Sequence, residues 1–519
     1  MKRGIKIESN IIDKAIEFVA PQWGLERRVA RAKLAYSYTA AAKSRRQTSE
    51  WTTSNKNADS DMLNELATLR ERSRDLVRNS PLAAGAINTV CTNVIGTGLK
   101  LQARIDRDVL RMSEDEADAW ETMVEREFRM WSESTECDAA RILNFANFQE
   151  LAFRQVLENG DVFILLPRIA RKNMPYALTM QLIEADRVCN KNYASITATL
   201  AGGIRKNEYG EPTEYHILKQ HPGNIYVSER EWQIVQAYGA KTGLKNVLHL
   251  FKMLRPGQSR GIPYLTPVVE TIKQIDKYVE SEVMAAVIAG MFTVFVKSEM
   301  GEDGLAPMEP TAETGGATTD TDYKLAPGAI LDLAPGEDIT TANPGRPNSA
   351  FDPFVMAVLR QVGVALEIPF EVLIKHFTAS YSAARAALLE AWKFFQARRR
   401  WLSDAMCNPI YEIWMYEAVA NGRIPAPGYF DDPIIRRAYL GVEWVGPSPG
   451  QIDPVKEIVA ARERIKLELT TRAYETAQLT GMDWEKVHQQ TIKESKMRRE
   501  LLPEASSESG SEGVYDEAN

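Results

Sequence analysis

The residues best equipped for chemistry in this chain are few, and their spacing argues against most of it. Gly446-Pro-Ser-Pro-Gly450 has the outline of a nucleophile elbow, G-x-S-x-G. In such an elbow the residue after the serine gives its backbone N–H to the oxyanion. Here that residue is Pro449, which has no N–H, so the stretch reads as a rigid connector. His216, His221, His249, His376 and His488 include no H-x-x-x-H and have no cysteine at ligand spacing, so they predict no metal site. His249, inside VLHLF, reads as a strand histidine. There is no G-x-x-x-x-G-K-[ST] to cradle a phosphate, and Gly96-x-Gly98 is half a dinucleotide fingerprint followed by a strand instead of a helix. Asp431-Asp432 and Glu114-Asp115-Glu116 have the charge to bind a divalent cation, but negative charge at a helix N-terminus accounts for the second. The expectation is a chain with no catalytic residue, no metal and no cofactor.

Lys375 and His376 are different in kind. They lie beside a short loop joining two long helices, where a cation can meet phosphate without reading bases. A solvated loop is the competing reading. The helix that follows is the most informative stretch of the chain. Thr378-Ala-Ser-Tyr-Ser382 precedes an Ala-rich run that carries Trp392, Phe394 and Phe395 and ends in Arg398, Arg399 and Arg400. That composition suits a helix packed between neighbours, with its entry loop held in a fixed place.

The elements around it read as α+β. Asp61 to Asn93 is helical, with a break at Asn79-Ser80-Pro81, and Gly96-Thr-Gly98 turns the chain into a strand, Leu99 to Arg104. A helix over Glu114–Glu133 puts Trp120, Val124, Phe128 and Trp131 on one face. Residues from about 140 to 262 form a mainly β module, with strands at Val162–Leu166, Leu178–Leu182, Tyr215–Leu218 and Val247–Phe251. Thr266-Pro267 predicts a helix start, and Ile272, Ile275, Val279 and Val283 follow at helical spacing to about Gly290. Phe292–Val296 and Ala329–Leu333 read as strands flanking an acidic loop. Asp352-Pro353 opens a second helix, Asn408-Pro409 breaks the chain, and Asp453-Pro454 opens a helical C-terminal region.

At 519 residues the length allows about three domains, and 44% apolar with 26% charged residues fits a globular chain. The longest uncharged, mostly apolar run, Val283–Val296, is too short to span a bilayer, and the charged N-terminus reads as amphipathic, not as a signal peptide. Cys91, Cys137, Cys189 and Cys407 are scattered, which suits a reducing cytoplasm and not a disulfide framework. The net charge is −7, but twelve acids sit in two base-free segments, 299–323 and 503–519. The remainder carries about +5 and does not repel nucleic acid as a whole. Arg27 to Arg46 holds seven bases and no acid, with Tyr36 and Tyr38 able to pack on a neighbour or on nucleic acid; a solvated helix face is the competing reading.

Seven segments in order resemble the lambda-type portal proteins of tailed bacteriophages. They are Arg70-Glu-Arg-Ser-Arg-Asp-Leu-Val-Arg-Asn79 with Pro81, Gly96-Thr-Gly98, Ile183-Glu-Ala-Asp-Arg187, Tyr209 to His216, Arg255-Pro-Gly-Gln-Ser-Arg-Gly-Ile-Pro263, Tyr381-Ser-Ala-Ala-Arg385, and the tryptophan-ended strand before Pro447. The resemblance covers most of 25–495. It implies a portal-type ring subunit: residues 1–263 as wing, 264–290 as first stem helix and 291–349 as clip. Residues 350–368 would be the second stem helix, 369–380 the tunnel loop, 381–450 a long wing helix and return, 451–502 a helical crown and 503–519 an acidic tail.

Further implications concern partners. Copies of the chain would form a ring, usually of twelve, at one capsid vertex, with double-stranded DNA passing through without sequence specificity. Lys375, His376, Phe377, Thr378 and Ser380 would face that DNA, and Ile272, Ile275, Val279 and Val283 would pack the stem helices. The terminase, head–tail connector proteins and the major capsid protein would be partners, with no membrane involved. The virion would be the destination and the host cytoplasm the place of assembly. The competing readings are another oligomeric virion connector, or a nucleic-acid-processing enzyme with no recognised motif.

Overall fold

Ser80-Pro81 divides the first long helical stretch into α1 (Leu66–Asn79) and α2 (Pro81–Val94), with Ser80 extended at ψ 118°. This follows from the clash that proline imposes on the residue before it. The structure is a computed structural model. It describes residues 18–23, 26, 29, 50–226, 230–290, 294–298, 337–341, 349–377, 380–450, 453–482 and 484–501. The chain falls into two units, Met1–Asp61 and Met62–Asn519. In the first, Asn57 accepts the N–H of Ser60 at 2.8 Å, a helix-start contact. The basic stretch 27–46 (apart from Val29), the acidic segments 299–323 and 503–519, and the strand expected at 329–333 lie outside the described residues.

In the second unit Gly96 and Gly98 take positive φ and lead into β1 (Lys100–Ala103). α3 (Glu114–Ser132) opens on a capping box, Ser113 with Glu116, which gives its acidic first turn a structural role. It buries Trp120, Val124, Phe128 and Trp131 as its spacing predicts. α4 (Phe145–Asn159) delivers the chain to β2 (Asp161–Leu165). Two antiparallel sheets follow. One has the order β3-β2-β8, with β3 at Gln181–Ile183 and β8 at Val247–Phe251. The other is a meander of β4 (Leu200–Ala201), β5 (Ile204–Lys206), β6 (Pro212–Leu218) and β7 (Trp232–Gln236).

The next helix, α5 (Val269–Gly290), is preceded by a 3-10 turn at Thr266–Val268. Thr266 does not cap it. Its hydroxyl donates back to Pro263 O at 2.7 Å, so the start rests on the turn and on Pro267. β9 (Val294–Ser298) and β10 (Glu337–Thr341) form an antiparallel pair. In α6 (Phe351–Ala365) Asp352 again is not the cap; it lies in the first turn, where its charge suits the helix dipole. A short α7 (Phe370–Ile374) leads to α8 (Tyr381–Leu402). Asn408-Pro409 does not break the chain as expected. Ser403–Cys407 widens into a π turn that joins α8 to α9 (Asn408–Ala420), and Pro409 takes an early helical position of α9.

α10 (Pro433–Tyr439) is capped by Asp432, which accepts the Ile434 N–H at 2.7 Å. β11 (Val442–Val445) then pairs antiparallel with β1, tying the two ends of the body together. Phe128 is the hub of the core there, with rings of Trp414, Trp131, Phe145, Tyr411 and Trp444 within 5.0–5.8 Å. The C-terminal region is α11 (Pro454–Lys466), α12 (Arg472–Thr480) and α13 (Trp484–Leu501), the first capped by Asp453 as predicted. Among the described residues no helix is long and apolar enough to cross a membrane.

Candidate nucleic-acid interface

Upstream of α5 the body holds a polar cluster that periodicity gave no reason to expect. Asp161 opens β2 and is fully buried. Its Oδ1 accepts from Arg70 Nη2 at 2.7 Å and Arg260 Nη2 at 3.2 Å. Its Oδ2 accepts from Arg260 Nε at 2.5 Å, His249 Nε2 at 3.1 Å and the Gly261 N–H at 3.2 Å. Because a carboxylate only accepts, His249 carries its proton on Nε2.

Arg260 spends all five of its donors inside the protein. The other three N–H groups reach Val188 O, Gly202 O and Ala185 O at 2.7–2.8 Å. Arg70 reaches Asn159 O as well as Asp161, and Arg74 joins through Asp186. Burial alone would raise the Asp161 pKa, but Arg260, Arg70 and the His249 hydrogen bond hold it far below the usual carboxylate range. Burial pushes His249 down to about 4, against the opposing pull of Asp161. The ring lies stacked between Phe163 and Phe251, with centroids 4.1 and 4.3 Å away. Gly160 and Gly261 allow the close approach: a Cβ on Gly261 would stand 1.9 Å from Gly160 O.

Three of the segments that carry the resemblance, those containing Arg70, Asp186 and Arg260, thus meet at one aspartate. The available sequence signal was a charged residue repeating inside apolar spacing, Arg70 between Leu66 and Leu76. The cluster fixes residues 258–262, which lead directly into the root of α5. Two further contacts hold that root: Ser80 Oγ donates to Asp276 at 3.1 Å, and Lys273 lies 3.5 Å from Asp75.

Of the four residues assigned to stem packing, Ile272 and Ile275 are buried and Val279 is half-buried against the core. Val283 is 59% exposed in the protomer, as are Met284 and Val287 to similar degrees. α5 meets α6 through Tyr278, whose ring lies 5.5 Å from Phe351 and 5.2 Å from Phe354.

The loop hangs from a tight fold-back after α6. Ile368 N–H bonds Gly363 O at 3.0 Å, and a Cβ on Gly363 would come 2.7 Å from Ile368 O. Tyr264 Oη donates to Leu366 O, and Val372 and Leu373 bury the following turn. Lys375 ends α7 in the left-handed region, φ 56°, and is exposed, as are His376 and Phe377. His376 N–H bonds Glu371 O at 3.1 Å. Thr378 lies outside the described residues. Ser380 sits at the N-terminal boundary of α8 without a side-chain cap bond. The sequence reading therefore grouped four exposed or boundary positions on one anchored loop.

α8 is held by its second half. Ala391, Phe394, Phe395 and Leu402 are buried, while Leu389 is 54% exposed. Arg399 donates to Asn93 O and Val94 O at 3.0 Å and to Pro447 O at 2.9 Å, completing the C-terminus of α2. Burial lowers its pKa to about 10. Gly446 lies against the same guanidinium, so the Gly446–Gly450 stretch serves as a connector under Arg399. Glu184, Asp186 and His221 bring ligand atoms within 4.8 Å of one another, but Arg74 already lies across the two carboxylates.

A family described as phage portal protein, lambda family, matches residues 44–399. Portal protein B of Escherichia phage lambda is 23% identical over 473 residues, covering 87% of this chain and 88% of its own length. The portal protein of Escherichia phage N15 is 23% identical over 469 residues, covering 86% and 88%. Among solved structures, the neck of the native GTA particle computed with C12 symmetry aligns with a TM-score of 0.42 at 12% identity, covering 81% of this chain and 94% of that one.

Proposed function

This chain belongs to the lambda family of phage portal proteins, and from that premise we infer how its parts divide the work. A portal protein is a structural component of the virion, and passage of DNA through it is its general role. We read residues 1–263 as the wing, 264–290 and 350–368 as the paired stem helices and 291–349 as the clip. Residues 369–380 are then the tunnel loop, 381–450 the long wing helix and its return, and 451–502 the crown. Copies close into a ring of twelve at one capsid vertex. The terminase docks there for packaging and the head–tail connector proteins follow it, while the major capsid protein surrounds the wings. Assembly takes place in the host cytoplasm. Such a conduit requires no bond chemistry of its own.

The observation that carries the ring is the outer half of α5. Its apolar stripe continues past the protomer's core to Val283, Met284 and Val287, all about half exposed. A face of that kind on every copy is covered by closed cyclic association. Negative-stain microscopy with mass measurement on the purified protein is the test. A ring with a central hole is expected, and a monomer at every concentration and salt overturns the reading. The same stem and loop assignment places Lys375 and His376 near DNA phosphate, where contact is independent of base sequence.

A further inference from the structure

We propose that Arg398 and Lys252 form a binding site for a phosphate-type oxyanion at the end of α6, and that Glu367 moderates its affinity. The site uses none of the residues of the loop 375–380, and it does not depend on the ring.

Two adjacent arginines on α8 make the case by contrast. Arg399 gives its N–H groups to Asn93 O, Val94 O and Pro447 O. Arg398 is also half-buried, yet it makes no hydrogen bond or ion pair among the described residues. Aromatic rings hold it instead. Its Cζ lies 5.0 Å from the centroid of Phe394 and 5.7 Å from that of Tyr264. Those two rings stack on each other, with centroids 6.3 Å apart, and the Tyr264 hydroxyl is already committed to Leu366 O. None of the Arg398 nitrogens is sealed from solvent, so a guanidinium fixed by its face keeps its donors for an incoming anion.

Lys252, exposed just after β8, likewise makes no hydrogen bond or ion pair among the described residues. Burial lowers the pKa of both groups, and the charge of Arg398 lowers that of Lys252 further, which places the two cations in one neighbourhood. Glu367 is the acid that both feel, without forming an ion pair to either. Two cations against one acid leave positive charge over. A guanidinium fork beside an ammonium point charge suits a tetrahedral oxyanion with several acceptor oxygens, whereas a lone carboxylate is matched by arginine alone.

The backbone of Glu367 supplies an independent sign. It has φ 55° at the reversal after α6, where its N–H bonds Val364 O at 3.3 Å and the Ile368 N–H bonds Gly363 O at 3.0 Å. Glycine is the usual residue at that turn, and any side chain there is strained. A carboxylate kept at a strained position beside two unpaired cations is the pattern of a tuned site.

The test is calorimetric titration of the full chain with inorganic phosphate and with short double-stranded DNA, at constant ionic strength. Saturable phosphate binding is expected, weakened about tenfold or more by Arg398→Gln. Lys252→Gln should weaken it by a smaller factor; because Lys252 is exposed, this variant decides the matter if Arg398→Gln fails to fold. Glu367→Gly should bind phosphate more tightly without loss of Tm. A duplex that loses affinity in Arg398→Gln and is displaced by phosphate assigns the anion to a nucleic-acid backbone; a duplex indifferent to Arg398→Gln leaves free phosphate as the ligand. Absence of phosphate binding, or equal binding in wild type, Arg398→Gln and Lys252→Gln, overturns the proposal. Unchanged phosphate affinity with lost self-association in Arg398→Gln overturns it too, and gives Arg398 to a carboxylate of a second copy.

Discussion

At its root α5 buries Ile272 and Ile275, while about three turns further on the same stripe leaves Val283, Met284 and Val287 half exposed. The root is locked by charge as well as by packing, through Arg260 and Asp161 just upstream. In the outer half Val283, Met284 and Val287 lie beyond the residues that form the protomer's buried core. The same division runs through α8, anchored at Phe394–Leu402 and open at Leu389. The contrast teaches that apolar spacing states which side of a helix is sticky, and that only the fold states what covers it. Where the protomer's own core ends and the stripe continues, a neighbouring copy is the cover that the ring reading supplies.

The largest effect should come from breaking the anchored side. Arg260→Ala leaves Asp161 buried with Arg70, His249 and one backbone N–H, and strips partners from three carbonyls. Removing one member of a buried pair costs about 3–5 kcal/mol. Thermal unfolding and soluble yield should both collapse, and a Tm within a few degrees of wild type would refute the claim that this cluster holds the root of α5.

The comparison is sharpened by the same change made twice on one helix. Ile275→Asp places a charge in the core and should cost ~2–4 kcal/mol of stability. Val283→Asp should leave the protomer's stability within about 0.5 kcal/mol but prevent ring formation. Unfolding curves and mass measurement on the two proteins separate the outcomes. If Val283→Asp still forms rings of normal stability, the outer stripe is not an interface.

Acid should loosen the anchored side by a smaller amount. His249 is neutral when folded, with its pKa near 4 against an ordinary 6.5, so the unfolded chain binds a proton first as pH falls. Stability from this group is complete above about pH 6.5 and is lost progressively down to pH 4, on the order of 3 kcal/mol in all. Asp161 works in the same direction at lower pH, since its carboxylate is needed charged. His249→Gln should flatten the wild-type loss of Tm between pH 6.5 and 4. An unaltered slope would assign that loss to other groups.

Much of the scaffold was legible because it is written in local rules. Pro81, Gly96 and Gly98, the Trp120–Trp131 face and Asp453-Pro454 specify their turns, faces and caps within a few residues. Thr266 and Asp352 misled for a related reason: a cap-type residue beside proline marks a start, yet which side chain bonds depends on how the preceding turn packs. The Asp161 cluster was not legible, because Arg70, Asp186, His249 and Arg260 each look like surface or strand residues until four segments meet. Of the candidate site, the sequence placed Lys375, His376, Phe377 and Ser380 together on one loop. It gave no measure of their exposure, which depends on the Gly363–Ile368 fold-back.

The smallest effect is expected at that loop. Lys375 is exposed, and its left-handed backbone strain is shared by any side chain other than glycine, so Lys375→Glu should change neither stability nor ring formation. If α7 and α8 turn their junction toward the channel, the substitution replaces a phosphate-attracting charge with a repelling one. DNA packaging or retention should then fall, and fall more at low salt, where screening is weakest. Lys375→Gln should have about half the effect, because it removes attraction without adding repulsion. Packaging unchanged in both variants at low salt would mean that Lys375 meets solvent or a neighbouring carboxylate. A ring structure with residues 374–380 on the outer rim would end the idea outright. The size of the loss, set against the intact ring, then measures how far an anchored frame and an exposed loop contribute separately to the passage of DNA.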